Sequence, residues 1–241
     1  MVYRELPLTP AGVEGVEMKV LVPADVMADA ADVPSPFRQS VAAGVIMPGQ
    51  THSVKIGVMD PKAETEFYAT AGERFAEEDG LITSTPGISI GVRTADCVPV
   101  LLYAPDIRSV AAVHAGWRGT LDGIVSNALD MLRDMGAAPA RTYAVFGPSI
   151  SGAVYEVSDE LGVRFEAAGF GGCVTRSGER PHIDLQGVNR ERMLRHGLDE
   201  SRIITHGGCT LTSLDESGRP LFCSYRRNAT PLRQITAIRL L

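Results

Sequence analysis

Cys97 and His114 each stand at the end of an apolar run. Cys97 precedes Val98-Pro99-Val100-Leu101-Leu102, and His114 follows Val110-Ala111-Ala112-Val113. A thiolate and an imidazole at one end of adjacent strands can pair as nucleophile and base, or share a metal ion. His52 lies in a turn between two further apolar runs and offers another imidazole. The three are too widely spaced for a local zinc signature. Each alone also has an ordinary reading, as a buried thiol or a satisfied loop histidine.

After His114 the chain runs through Ala115-Gly116-Trp117-Arg118-Gly119 into a helical pattern. A loop at a helix N-terminus presents unpaired N–H groups and a dipole that favour an anion. Gly116 and Gly119 let backbone approach such a ligand, and Arg118 adds a planar fork of donors. The same residues also read as a tight glycine turn with a solvated arginine and a packed tryptophan. Near the C-terminus, Ser224, Tyr225, Arg226 and Arg227 follow an apolar pair, with Arg233 close behind. Hydroxyl and guanidinium donors suit phosphate or ribose; a solvated basic turn is the plainer alternative. The stretch FGPSISGAVYEV reads as a loop that ends in Tyr155-Glu156.

The elements that must position these residues are mostly strands. Period-two and short apolar runs predict strands at 17–22, 41–47, 54–59, 81–83, 88–93, 98–103, 110–113, 143–146, 203–205, 221–223 and 234–240. From Thr120 the period changes. Leu121, Ile124, Val125, Ala128, Leu129, Leu132 and Met135 share one helical face, which predicts a helix that Gly136 stops. Asp184 is placed to cap a second helix through His196, ended by Gly197. Two or three helices among many strands give an α+β class with mixed sheets. No repeat, charge block or long linker divides residues 1–241, so one domain is expected.

The formal charge of −6 argues against non-specific nucleic-acid binding, which needs a basic face. A small anionic substrate remains compatible with it, because one cluster of arginines suffices. No run approaches a membrane span, and the first residues carry no apolar core of signal-peptide length. The four cysteines are dispersed without CxxC spacing. Together these point to a reducing cytoplasm, with no membrane partner.

Four stretches in order, DGLITSTPGISIGVRTADCVPVLL, VAAVHAGWRGT, GPSISGAVYEV and FCSYRRNATPLRQ, resemble the laccase-domain family. Its members carry the names multicopper polyphenol oxidase and purine nucleoside phosphorylase. The resemblance runs from about residue 40 to the C-terminus. It implies a single-domain mixed β-sandwich flanked by helices. It also implies a His/Cys/His metal set: His52 from Gln50-Thr51-His52, Cys97 from TADC, and His114 from HAGWRG. The implied activity is zinc-dependent phosphorolysis of adenosine, inosine and S-methyl-5'-thioadenosine, with adenosine deamination as a second reaction. Purine nucleosides and phosphate would then be the partners, with Arg118, Arg226, Ser224 and Tyr225 as the candidates to bind them. Three protein ligands leave one position open, the arrangement of a catalytic zinc. The chain departs from the family pattern at Arg93, at Ala153 and Val154, and at Asn228-Ala229.

Two rival enzymatic readings stay open, beside that of a non-enzymatic binding module. Cys97 and His114 could serve a hydrolase or deamidase, leaving His52 a bystander. The cluster could instead take copper and oxidise phenols. Against that stand the five histidines of the chain, too few for a trinuclear cluster plus a blue-copper site, and the lack of a histidine or methionine near Cys97 in sequence. Oligomeric state is open.

Overall fold

A computed structural model describes residues 3–27, 41–42, 44–59, 74–176 and 178–241. Ala43, inside one expected strand, lies outside these. In chain order the strands are β1 (Tyr3–Pro7), β2 (Val16–Pro23), β3 (Val41–Ala42), β4 (Val45–Ile46), β5 (Ile56–Met59), β6 (Gly80–Thr83) and β7 (Ser89–Thr94). There follow β8 (Val98–Ala104), β9 (Ser109–Ala115), β10 (Tyr143–Phe146), β11 (Val174–Thr175), β12 (His182–Ile183), β13 (Ile203–Thr205) and β14 (Gln234–Leu240). They form two six-stranded mixed sheets, β1-β2-β14-β7-β4-β3 and β13-β10-β8-β9-β6-β5, and a small β11-β12 pair.

Strand β8 shows why the layers stack as they do. It is buried along its whole length, so its sequence reads as one apolar run. Leu101 and Tyr103 face the other sheet and pack in a core with Met18, Val20, Ile90, Val92 and Ile238. Val98, Val100 and Leu102 point the opposite way, into a second core closed by helices. The architecture is therefore sheet on sheet with helices over the outer face of the second sheet, the α+β class and flanked sandwich expected.

The helices are α1 (Trp117–Asp122), α2 (Ile124–Asp134), α3 (Asp159–Phe165), α4 (Leu185–Arg195) and α5 (Tyr225–Asn228). The single helix expected from Thr120 is two helices. It starts earlier, at Trp117, and breaks at Gly123, whose φ of 93° is left-handed. Arg192 of α4 holds the break, donating to the carbonyls of Thr120 (3.0 Å) and Leu121 (2.6 Å). The apolar face survives the break, since Ile124, Val125, Ala128, Leu129 and Leu132 are buried. Gly136 stops α2 as expected, with the Ala137 N–H closing on the Leu132 carbonyl. Asp184 caps α4 through the Gly187 N–H at 3.0 Å.

Three strand expectations need correction. The 41–47 strand is the β3–β4 hairpin, turned by Gly44 at φ 74°. The 54–59 strand begins only at Ile56. Residues 221–223 are not a strand: Phe222 and Cys223 are buried, and the backbone leads straight into α5. Among helices, α3 and α5 carried no expectation from the sequence.

Candidate metal centre and its cavity

Strand β9 runs through His114, and β8 starts one residue after Cys97. The antiparallel register pairs Pro99 with His114 and Val98 with Ala115, so Cys97 stands across from Gly116. His52 reaches the same point from the turn before β5. Ligand atoms of His52, Cys97 and His114 all lie within 4.8 Å of one another. The two imidazoles meet edge to face, with ring centroids 5.0 Å apart. Three residues far apart in sequence thus converge because the β8–β9 hairpin and the β5–β6 pair share one sheet.

Asp79, just before β6, organises the convergence. It is fully buried, and its Oδ1 lies 2.7 Å from His114 Nδ1. Its carboxylate also accepts the backbone N–H groups of Thr51 (2.9 Å), His52 (3.0 Å) and Ser53 (2.7 Å), and the Ser53 hydroxyl at 2.9 Å. Burial alone would push this carboxyl up, but the His114 hydrogen bond, the imidazole's charge and Ser53 hold it below its ordinary value. With Nδ1–H donated to Asp79, His114 would turn Nε2 to a metal that displaces the ring's second proton. Burial would likewise disfavour a Cys97 thiolate, yet the neighbouring His114 and His52 imidazoles draw its pKa down, and His114 rises in return. The pair is set up for an anionic sulfur, the form that ligates a metal.

Backbone conformation fits the same purpose. Gln50, His52 and Asp96 all have positive φ (63°, 61° and 98°), which non-glycine residues adopt at a cost of order 1–3 kcal/mol. A Cβ on Gly116 would come within 2.9 Å of His52 Cδ2 and 3.2 Å of Cys97 Sγ. The bare glycine leaves that space to the ligand side chains. The donor set, the Asp79 carboxylate behind His114 and the open space at Gly116 together fit one metal ion.

The cluster forms one wall of a cavity of about 440 Å³, also lined by Gln50, Arg93, Asp96, Trp117, Tyr155, Tyr225, Arg226 and Arg233. Asp96, the neighbour of Cys97, ties the lining together. Its carboxylate accepts the Thr210 hydroxyl and the Arg226 N–H, each at 2.6 Å. Arg226 also donates to the Glu156 carbonyl at 3.0 Å and lies over the Tyr155 ring. Tyr155 is pushed up to about 12, first by burial and then by the charge of Cys97, so its phenol keeps its proton.

Of the residues singled out in the sequence, His52, Cys97, His114, Trp117, Tyr225, Arg226 and Arg233 meet at this cavity. Ser224 is buried and caps α5 through the Arg227 N–H, so it aims its neighbours and does not itself line the wall. Arg118 is exposed and lies with its guanidinium 4.9 Å from the centre of the Trp117 ring. It is not among the lining residues, and α1 is a short helix of six residues. Asp79, Asp96 and Tyr155 were missed as site residues. An acid at a strand start and a tyrosine in a loop give no local signal of what they meet.

A family model described as "multi-copper polyphenol oxidoreductase laccase" matches residues 22–240. The chain belongs to this laccase-domain family. This laccase-domain chain is 38% identical over 164 residues to a purine nucleoside phosphorylase of Deinococcus radiodurans, a match covering 68% of the chain and 61% of that relative. It is 35% identical over 170 residues to adenosine deaminase RL5 of an unknown prokaryote, covering 69% and 65%. In both cases less than two thirds of the relative's length is spanned. Among solved structures, the YfiH protein of Bacillus licheniformis superposes with a TM-score of 0.78 at 25% identity, covering 94% of this chain and 93% of that one. Protein NMB0706 of Neisseria meningitidis gives 0.75 at 24% identity, covering 100% and 99%, and shares the laccase-domain fold. No helix among the described residues is long and apolar enough to cross a membrane.

Proposed function

We propose that this laccase-domain chain is a zinc-dependent purine nucleoside phosphorylase. Adenosine, inosine and S-methyl-5'-thioadenosine are its substrates, with adenosine deamination as a second reaction. One observation carries the reading: a His/Cys/His set closes one wall of a cavity whose other walls bear arginines and tyrosines. Its volume suits a nucleoside-sized ligand. The names of the relatives support the same choice.

His52, Cys97 and His114 would hold the zinc. Bound there, it would supply Lewis-acid polarisation at an open coordination position. The chain's own groups do the rest. Asp79 keeps the proton on His114 Nδ1, so the ring neither turns nor swaps tautomer. Tyr155 stays neutral and offers an O–H donor, and the Tyr155 and Tyr225 rings give flat apolar surface for a purine. Arg226, held by Asp96 and Glu156, contributes positive charge; Arg118 sits beyond the wall, on Trp117. In the reaction a phosphate oxygen bonds to C1′ as the bond from C1′ to the purine nitrogen breaks. The bonding pair leaves on the base, which takes up the proton that the hydrogen phosphate releases, and the pentose 1-phosphate forms.

The deciding experiment incubates inosine with the purified chain, with and without phosphate, alongside elemental analysis. Hypoxanthine released only with phosphate, at about one zinc per chain, is the expected result. Turnover that ignores phosphate would favour the rival hydrolase, which the Cys97–His114 contact otherwise supports. A copper oxidase has less support. Among the described residues one metal-binding group is present, while His182 and His206 belong to other segments and His196 lies 3.5 Å from Asp130.

A further inference from the structure

Arg93 lies on β7, and Arg233 stands one residue before the neighbouring β14. In the antiparallel β7–β14 register Arg93 pairs with Ile235, and Arg233 sits two residues before Ile235. That places Arg233 diagonally across from Arg93, near enough for its charge to act on the Arg93 guanidinium. Both line the cavity that holds His52, Cys97 and His114.

Each guanidinium is held in place. Arg93 Nη2 donates to the Pro48 carbonyl at 2.7 Å and Nε to Gln50 Oε1 at 3.3 Å. Gln50 in turn is fixed by the Arg93 backbone, through Nε2 to the carbonyl (2.7 Å) and Oε1 from the N–H (2.9 Å). Arg233 Nη1 donates to the Thr230 and Leu232 carbonyls at 2.7 and 2.8 Å. Arg93 is only 7% exposed, and burial followed by the charge of Arg233 pushes it down to about 10, so it remains a cation at neutral pH. The charge of Arg233 acts on Arg93, and a dianion bound in the cavity would be attracted by both. Planar forks fixed in advance also lose little freedom when they bind an oxyanion.

We propose that Arg93 and Arg233 form the phosphate subsite of this cavity, which also holds His52, Cys97 and His114. The assignment rests on the phosphorylase reading. It gives the attacking phosphate a fixed station on the β7–β14 sheet, while the β8–β9 hairpin carries the metal ligands. Arg226 and the two tyrosines then serve the nucleoside.

The test uses inorganic phosphate and inosine with the metal-loaded chain. Arg233→Gln should raise the phosphate KM by roughly tenfold or more, the scale of a lost charge-assisted hydrogen bond, with the inosine KM changed less than about twofold. Arg93→Lys, which keeps the charge and loses the fork, should raise the phosphate KM by a smaller factor. It also guards against Arg93→Gln failing to fold once the Pro48 and Gln50 contacts go. The rise in thermal midpoint that phosphate alone produces should shrink in both variants, with zinc content unchanged. An unchanged phosphate KM in folded Arg233→Gln overturns the assignment, as does a rise confined to inosine. If the unmodified chain cleaves inosine without phosphate, the phosphorylase reading falls. The midpoint shift still decides separately whether the pair binds phosphate: a shift that both variants retain overturns the subsite.

Discussion

Oδ1 of Asp79 lies 2.7 Å from Nδ1 of His114, while the same carboxylate accepts the backbone N–H of His52. One buried acid therefore sets the tautomer of one candidate ligand and the position of another. Its effect on metal binding should exceed that of an ordinary buried hydrogen-bonding residue.

Asp79→Asn is expected to weaken metal binding by roughly 10- to 100-fold, the usual scale for an outer partner of a ligating histidine. The amide would also turn a donor toward the N–H groups of the 51–53 turn, so the thermal midpoint should fall. Competition titration against a chromogenic chelator measures the first effect. An affinity equal to that of the unmodified chain would reduce Asp79 to a loop anchor.

Gly116→Ala is expected to keep the fold and lose metal. At φ −69° alanine is conformationally acceptable, but its Cβ would crowd His52 and Cys97. Circular dichroism should be unchanged while metal content drops well below that of the parent. Full occupancy in this variant would mean the His52 side chain can move aside without cost.

His52→Ala separates the metal reading from the nucleophile reading. His52 is exposed and contacts the cluster from outside the Cys97–His114 pair. Metal and activity should vanish together, with partial recovery in excess zinc. Activity that persists and resists chelators would leave Cys97 acting as a nucleophile, and rapid alkylation of its thiol would support that outcome.

Ala229→Gly should stabilise the chain. Ala229 ends α5 in the left-handed region at φ 51°, a conformation costing an L-residue roughly 1–2 kcal/mol and glycine far less. A gain of about 1 kcal/mol corresponds to a rise of roughly 2–4 °C in thermal midpoint for a chain of this size. A lower midpoint would show that the methyl group has packing value that the backbone argument omits.

Much of this was legible because it is written in local pattern. The apolar runs around Cys97 and His114 state their strands, and Asp184 and Gly136 mark helix ends by residue type. Gly123 shows the limit of periodicity. The face from Leu121 to Leu132 continues past it, so the repeat hides a break that only the packing of Arg192 makes stable. The His/Cys/His set came from family motifs, since residues so far apart in sequence have no spacing to betray them. Asp79 and the Arg93–Arg233 pair were invisible for a related reason. Their roles depend on strand register, which brings position 79 to 114 and position 233 beside 93.

That the cluster is assembled from three separate segments also orders events in the life of the chain. β6 must seat between β5 and β9 before the His52 turn can reach Cys97 and His114. A newly made chain therefore has no tight chelating stretch to offer, and folding has to come before metallation. A metal taken up there would meet a finished protein, with His52 the exposed member of the set. Ligands of this kind prefer copper to zinc, so selection of a metal at such a site would fall to supply acting on the folded chain.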